Sequence, residues 1–255
     1  MTAPKVAFFE FTSCEGCQLT VVDSLQENPQ LLDMIEIVQF REAMSEKGND
    51  YQIAFIEGSC TRPSDEEKIK EIREQADLVV TIGACAHLAG INAIRNRTEI
   101  ADVREYVYGD KGEWYETYQP RPISAVVPVD AEIPGCPIDR NEFIMAVSHL
   151  LQGRLPNIPE HPLCIECKAM ENVCMYLRGK TCLGPITRAG CAAICPAHGD
   201  GCEGCRGLIP DANLEGIHRV LGQHGMTPDD IDAKMTMFLT YQKLALDAEK
   251  EAQNA

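Results

Sequence analysis

Thirteen cysteines are the residues of this 255-residue sequence whose type and spacing can do chemistry. Eight of them, Cys164, Cys167, Cys174, Cys182, Cys191, Cys195, Cys202 and Cys205, crowd into 42 residues. They read C-x2-C-x6-C-x7-C-x8-C-x3-C-P-x5-C-x2-C, enough thiolates for two four-cysteine sites with none left over. Structural zinc takes four tetrahedral thiolates, usually from two C-x2-C pairs. Iron–sulfur clusters also take four, and a C-x3-C-P ending occurs in cluster-binding runs. The two C-x2-C pairs stand 34 residues apart, longer than common zinc ribbons, so spacing favours iron–sulfur and leaves zinc open. A disulfide framework is the weaker reading. The count is odd, the chain is long, and it opens on no export signal.

The other five, Cys14, Cys17, Cys60, Cys85 and Cys136, are scattered over the first 150 residues, and their chemistry depends on the elements that carry them. VAFFEF (6–11), IEIVQF (35–40), QIAFIE (52–57), DLVVTIG (77–83) and ISAVVPV (123–129) are nearly continuous apolar runs. That is the pattern of strands buried on both faces of a parallel sheet. Helical spacing fills 17–27, 64–75 and 139–152, with Ser64 and Glu67 placed as a capping box for the second helix. The alternation predicts a doubly wound α/β domain. On this reading Cys14 and Cys17 follow strand one, Cys60 follows strand three, Cys85 ends strand four and Cys136 follows strand five. All five fall at the C-terminal edge of the sheet, where open α/β folds hold ligands. Gly16, Gly58, Gly83 and Gly135 beside them let backbone close on a compact group. TSCEGC occupies the turn where a phosphate-binding glycine loop would stand, which disfavours a nucleotide or flavin in this crevice.

Residues 95–121 hold the single tryptophan, in YVYGDKGEWYETYQP. They read either as a connecting insertion with a few packed aromatics or as a docking loop, since aromatics are enriched at interfaces. PNIPEHP (156–162) is a natural linker. The stretch 163–210 has little apolar periodicity and must be ordered by bound metal or by a partner. Residues 211–255 return to helix: EGIHRVLGQHG, a stop, then a second helix beginning at Thr227-Pro228-Asp229-Asp230, with proline in the first turn and acids at the positive end. The last ten residues are polar and read as a frayed end. A net charge of −16, from 39 acidic and 23 basic residues, argues against nucleic acid or an anionic membrane surface as partner. No apolar run reaches the length of a membrane span, so direct membrane insertion is not expected. The N-terminus has no secretory pattern, and a cytoplasmic location is expected.

Taken together and in order, FTSCEGCQ (11–18), EGS (57–59), IGACAHLAG (82–90), PGCPID (134–139), CLGPITRAGCAAICP (182–196) and GCEGCRG (201–207) identify a family. Over about residues 4–240 the chain resembles the small, electron-transferring subunit of [NiFe] hydrogenases. The likeness is strongest to the cytosolic type of multimeric NAD(P)-linked hydrogenases and sulfhydrogenases. The resemblance implies a flavodoxin-like doubly wound parallel sheet in residues 1–155, followed in 156–255 by a small irregular iron–sulfur domain with C-terminal helices. It implies three [4Fe–4S] clusters. Cys14, Cys17, Cys85 and Cys136 would hold the proximal one, Cys191, Cys195, Cys202 and Cys205 the medial one, and Cys164, Cys167, Cys174 and Cys182 the distal one. The nickel–iron site would lie on a large-subunit partner, since this chain has no cysteine after Cys205 to build it. Electrons would pass between that site and a flavin/NAD(P)-binding or iron–sulfur acceptor subunit during reversible hydrogen oxidation. No nicotinamide fingerprint is present here, so NAD(P) would bind on another subunit.

Two departures from membrane-bound relatives matter. Cys164 stands where they carry a histidine, with His161 as a rival ligand, and Cys195 stands where they carry a proline, which implies a four-iron medial cluster. Cys60 is not required by the family pattern. It is either an inert neighbour of the proximal cluster or an extra thiolate that exchanges with Cys85 or Cys14. Glu15 and Glu57 fall near the same edge. The homologous cluster subunit of respiratory complex I has adjacent cysteines in the first loop and lacks an eight-cysteine domain, whereas this chain has C-E-G-C and the domain. Twelve thiolates and three doubly positive cores would carry the charge from −16 to about −22.

Overall fold

The computed structural model describes residues 3–254, and the chain divides into two compact units between Asn157 and Ile158. In the first unit the strands are β1 (Lys5–Glu10), β2 (Glu36–Phe40), β3 (Ile53–Glu57), β4 (Leu78–Ile82) and β5 (Ala131–Ile133). They form one sheet in the order β2-β1-β3-β4-β5, and every neighbouring pair is parallel. This is the doubly wound, flavodoxin-like order. Alternation along the strands separates two cores. Val6, Phe8, Phe55, Val80 and Ile82 face α1 (Gly16–Glu27) and α5 (Arg140–Leu151), burying Val21, Leu25, Phe143 and Val147. Ala7, Phe9, Ala54, Ile56 and Val79 face the other way, with Ile69 and Ile72 of α2 (Pro63–Gln75). Phe8 stacks on Phe40 and Phe55 at centroid distances of 4.3 and 4.9 Å, so one aromatic column ties three adjacent strands together.

Two expectations are corrected here. The apolar run 123–129 is not the fifth strand: Ile123–Ala125 is a 3-10 turn and β5 starts at Ala131. Pro122 and Pro128 supply no N–H for a ladder, and Ile123 and Val127 are buried as packing residues against the sheet. The proposed Ser64–Glu67 capping box is also absent. The helix starts one residue earlier, with Arg62 as N-cap, Pro63 in the first turn and no side-chain cap. Asp65 instead turns back to accept from the Thr61 N–H at 3.1 Å.

Between β4 and β5 lie α3 (Gly83–Leu88), a 3-10 segment (Gly90–Arg97), α4 (Ile100–Tyr108) and a further 3-10 turn (Gly109–Trp114). The second unit has short helices α6 (Cys164–Ala169) and α7 (Ile194–Ala197) set in irregular chain. Its cysteine-rich core is Leu163, Met175, Cys182, Ala193 and Cys202. Three helices follow: α8 (Leu214–Gln223), α9 (Pro228–Thr236) and α10 (Thr240–Asn254). α9 begins at Thr227 with a complete capping box, the Thr227 hydroxyl and the Asp230 carboxylate each serving the other's backbone N–H. The chain turns at residues 237–239, so the helix expected from Thr227 onward is two, the second spanning Thr240–Asn254. Among the described residues no helix is long and apolar enough to cross a membrane.

Candidate functional site

Four of the five N-terminal cysteines converge at the C-terminal edge of the sheet. Cys14 lies in the loop after β1, Cys17 in the first turn of α1, Cys85 in α3, and Cys136 in the loop after β5. Glu57 at the end of β3 organises the first of these. It is buried, and its two carboxylate oxygens accept from the Cys17 and Gln18 backbone N–H groups at 3.2 and 2.9 Å. Those N–H groups belong to the first turn of α1 and have no partner within the helix. Burial pushes the Glu57 carboxyl up from its ordinary value, and the Gln18 and Cys17 N–H groups pull it back. α3 is tied to the Cys136 loop by the Ala84 N–H, which donates to the Gly135 carbonyl at 2.7 Å.

Close approach is built into the backbone. Gly83 adopts φ +84°, and a Cβ there would stand 2.4 Å from the Cys17 sulfur. Only glycine permits that contact. The thiols also feel one another. Burial, then the neighbouring Cys136 and Cys14, pushes the Cys85 thiol up to about 12. Burial, Cys14 and Glu57 raise Cys136, and burial, Glu57, Cys136 and Cys85 raise Cys17. Cys17, Cys85 and Cys136 therefore resist ionising on their own. A bound cationic group would stabilise the thiolates and displace their protons.

Cys60 stands apart from these four. It is fully buried in the core on the opposite face, with Ala7, Ile56 and Ile69. Its sulfur lies 2.8 Å from the Tyr118 hydroxyl, and its backbone pairs with Arg121 in both directions at 3.0 Å. The divergence follows from topology. The chain leaves β1 for the α1 face and leaves β3 for the α2 face, so two loops at one edge point to different sides. Sequence reasoning missed Tyr118, Arg121 and Glu66, whose carboxylate accepts from Arg121 at 2.6 Å. No local motif marks them, because the three meet only across the crossover. Glu57 had a signal: it is an acid closing an otherwise apolar buried strand.

In the second unit, Cys164, Cys167, Cys174 and Cys182 are neighbours. Burial first, then Cys182, Cys167 and Cys174, raises the Cys164 thiol. The Cys182 sulfur accepts from the Gly184 and Cys202 N–H groups at 3.4 and 3.2 Å, and that of Cys202 accepts from Gly204 at 3.4 Å. N–H groups aimed at cysteine sulfur are the contacts that tune a cluster's potential. Cys202 is buried and raised by burial, with Cys182 and Cys205 adding to the effect. Cys191 and Cys195 are less tightly joined to that pair. Cys191 lies near Arg206 and Glu166, while Cys195 is exposed near Glu203 and Asp200. Arg206, missed from the sequence, is fully buried and donates from Nε to the Ala189 carbonyl at 2.7 Å. His161 is exposed, whereas Cys164 stands among the other thiols.

Among the described residues no three His, Cys, Asp or Glu side chains converge tightly enough to hold one metal ion. A four-iron cluster asks for a looser arrangement, four cysteine thiolates around an inorganic core. The grouped thiols of the first set, the N–H groups turned toward sulfur in the second unit and the glycine-lined approach at Cys17 fit such a group.

A sequence model of the family described as NADH ubiquinone oxidoreductase, 20 Kd subunit, matches residues 14–150. Sulfhydrogenase 2 subunit delta from Pyrococcus furiosus is 33% identical over 228 residues, covering 89% of this chain and 94% of its own. A vhu subunit of the F420-non-reducing hydrogenase of Methanocaldococcus jannaschii is 32% identical over 236 residues, covering 80% of this chain and 82% of its own. Among solved structures, a chain of an NAD+-reducing [NiFe]-hydrogenase in the H2-reduced state superposes with a TM-score of 0.56 at 24% identity, over 62% of this chain and 96% of that one. A chain of the recombinant [NiFeSe] hydrogenase from Desulfovibrio vulgaris Hildenborough also gives 0.56, at 17% identity and over 85% and 96%. These last two likenesses are of fold.

Proposed function

The chain belongs to the NADH ubiquinone oxidoreductase 20 Kd subunit family, within it to the hydrogenase small subunits of the sulfhydrogenase delta type, and from that premise we propose how it works. It is the electron-transfer subunit of a multimeric cytosolic [NiFe] hydrogenase. It connects the nickel–iron site of a large subunit with a flavin/NAD(P)-binding or iron–sulfur acceptor subunit during reversible hydrogen oxidation. The observation that carries this reading is the meeting of Cys14, Cys17, Cys85 and Cys136 at one edge of a parallel sheet, in a chain whose relatives are hydrogenase subunits.

Cys14, Cys17, Cys85 and Cys136 would hold a proximal [4Fe–4S] cluster in the first domain, residues 1–155. Cys191, Cys195, Cys202 and Cys205 would hold the medial cluster in residues 156–255, and Cys164, Cys167, Cys174 and Cys182 the distal one. When bound, such clusters accept and release single electrons. The protein's own part is positional. Glu57 fixes the turn that presents Cys17, Gly83 lets that sulfur approach the backbone, and the Gly184, Cys202 and Gly204 N–H groups set the polarity around sulfur. The buried Arg206 holds the Ala189 carbonyl two residues before Cys191. Cys60, packed against Tyr118 on the other face, serves the core rather than a cluster.

Metal analysis of the anaerobically purified complex, tagged on this chain, tests the reading. About twelve irons per copy of this chain are expected, with nickel present in equal number to the chain. Iron without nickel would indicate a freestanding carrier, and zinc in place of iron would leave a structural module. Cys14→Ser and Cys136→Ser are expected to abolish dye reduction while hydrogen–deuterium exchange at the large subunit persists. Dye reduction at the wild-type rate would overturn the proximal assignment.

A further inference from the structure

Among the described residues, the bulkiest side chain with almost no exposure is a charged one, Arg206, at 1%. A guanidinium keeps its charge at every pH a protein meets. Taking it out of water is costly unless acceptors or negative charge stand around it. Its place in the chain says what those are. Arg206 directly follows Cys205, and its Nε donates to the Ala189 carbonyl at 2.7 Å. The N–H of that same peptide, on Gly190, donates to Glu166 Oε1 at 2.8 Å. One peptide is held at its oxygen by a cation and at its hydrogen by a carboxylate, and the next residue is Cys191.

Both charges reach the Cys191 sulfur. Burial pushes that thiol up, Arg206 is the strongest influence pulling it back, and Glu166 adds to the rise. The acids near Cys195 are matched by lysines: Glu203 pairs with Lys234 at 2.5 Å and Asp200 with Lys180 at 2.6 Å. The other thiol sets have different surroundings. The cation felt at Cys164 is Lys168, which is exposed and screened by water. The buried charge beside Cys17 is an acid, Glu57. Where every set has the same four ligands, such surroundings are what separate the potentials.

Four thiolates around a doubly positive core leave a net charge of about −2, and one added electron makes it about −3. A fixed positive charge in a surrounding of low dielectric stabilises the second state more than the first. We propose that Arg206 is the charge that raises the reduction potential of the cluster held by Cys191, with Glu166 opposing it from the other end of the Ala189–Gly190 peptide. The inference rests on the function proposed above, which gives Cys191, Cys195, Cys202 and Cys205 a cluster and brings it single electrons from hydrogen oxidation at the large subunit. Arg206 sets how firmly each electron is held before it moves on.

The test uses the complex purified anaerobically through a tag on this chain, titrated with dithionite and followed by electron paramagnetic resonance, with iron counted on the same sample. Arg206→Gln keeps N–H donors at this position and removes the charge. It is expected to hold its iron. At the wild-type midpoint the reduced-to-oxidised ratio of one cluster is expected to fall at least about tenfold, a shift of about 59 mV to lower potential. Cys191→Ser, which alters the spectrum of the cluster concerned, identifies it. Glu166→Gln is expected to move the same midpoint upward. An unchanged midpoint in Arg206→Gln at full iron content, an equal shift of all three clusters, or a shift confined to a cluster that Cys191→Ser leaves unaltered would each overturn the proposal. If Arg206→Gln does not load its iron, the Glu166→Gln midpoint decides, and one that stays in place or falls overturns the proposal. Wild-type complex with zinc in place of iron, or with far fewer than about twelve irons per chain, would be the failure of the underlying functional reading, and is separable because it appears before any variant is made.

Discussion

Position 83 has no side chain because the sulfur of Cys17 occupies the space one would fill, 2.4 Å from an added Cβ. Gly83→Ala must therefore move either α3 or the first turn of α1, and both carry ligands of the same proposed cluster. Iron content is expected to drop from about twelve to about eight per chain, with the second unit's cysteines still loaded; twelve irons would show that the Cys17 contact is not needed for assembly. Glu57 is a different dependence at the same place. Removing it in Glu57→Ala leaves the buried Cys17 and Gln18 N–H groups without acceptors, a loss of about 1–3 kcal/mol per group. It is expected to lower the thermal unfolding transition of the first unit, whereas Glu57→Gln, which keeps one acceptor oxygen, falls between. These positions were legible as cysteines and glycines gathered at strand ends. Cys60 was not, because spacing along the chain places a residue at an edge and says nothing of which face the following crossover takes.

Elements were readable where one strong local signal governed them and misread where neighbours decided. Four strands and the three expected helices, α1, α2 and α5, lie within a residue or so of their expected bounds, because a buried parallel strand needs an unbroken apolar run; α3 and α4 were not expected. The run 123–129 has the same composition, and only the prolines flanking its middle and the pairing of β4 with Ala131–Ile133 divert it into a packed turn. Ser64 and Glu67 had the spacing of a cap, yet Pro63 in the first turn and the demand of the Thr61 N–H on Asp65 moved the start. Thr227 had no such competition, and there the capping box is complete. Thr227→Ala is expected to destabilise α9 by about 1 kcal/mol, read by amide hydrogen exchange over residues 228–236. The effect carries a pH signature. The Thr227 hydroxyl and N–H hold the Asp230 carboxyl below its ordinary value. A carboxyl depressed on folding stabilises the fold above its unfolded value, near pH 4, and that stabilisation fades as pH falls through the lower folded value. Wild type and variant should therefore differ equally between pH 5 and 8, as rough bounds, with the gap narrowing as pH falls below about 4 toward the pH-independent part left by the Thr227 hydroxyl on the Asp230 N–H; a gap that does not narrow would mean that the Asp230 carboxylate is not part of the cap.

At the scale of the whole molecule the two units are ordered by different means. The first has two apolar cores on a five-stranded sheet, with Phe8, Ile56, Ile69, Ile82 and Phe143 all but fully buried. Burial of each such side chain contributes about 1.5–3 kcal/mol, so this fold needs no metal to pay for its chain entropy. In the stretch from Leu163 to the start of α8, one buried apolar group is Leu163, Met175, Cys182, Ala193 and Cys202, two of them proposed ligands, and Leu183, Ile186 and Ala189 are buried besides. A core that small cannot order some fifty residues of irregular chain, each costing about 1–2 kcal/mol of backbone entropy. The proposed thiolate–metal bonds would supply the difference, as such bonds do in small metal-folded domains. Anaerobic removal of iron with a chelator is expected to leave the amides of β1, β3 and β4 protected from exchange while those of residues 163–210 lose protection by at least about a hundredfold. Loss of the sheet's protection at the same iron content would show that the first unit too is held by its cluster. Full retention of protection in 163–210 would remove the physical ground for eight cysteines in 42 residues. A graded result is informative by position: if the loop around Cys164–Cys182 opens before the one around Cys191–Cys205, the two proposed sites are separate cooperative units, and the assignment of four ligands to each gains a test independent of any spectrum.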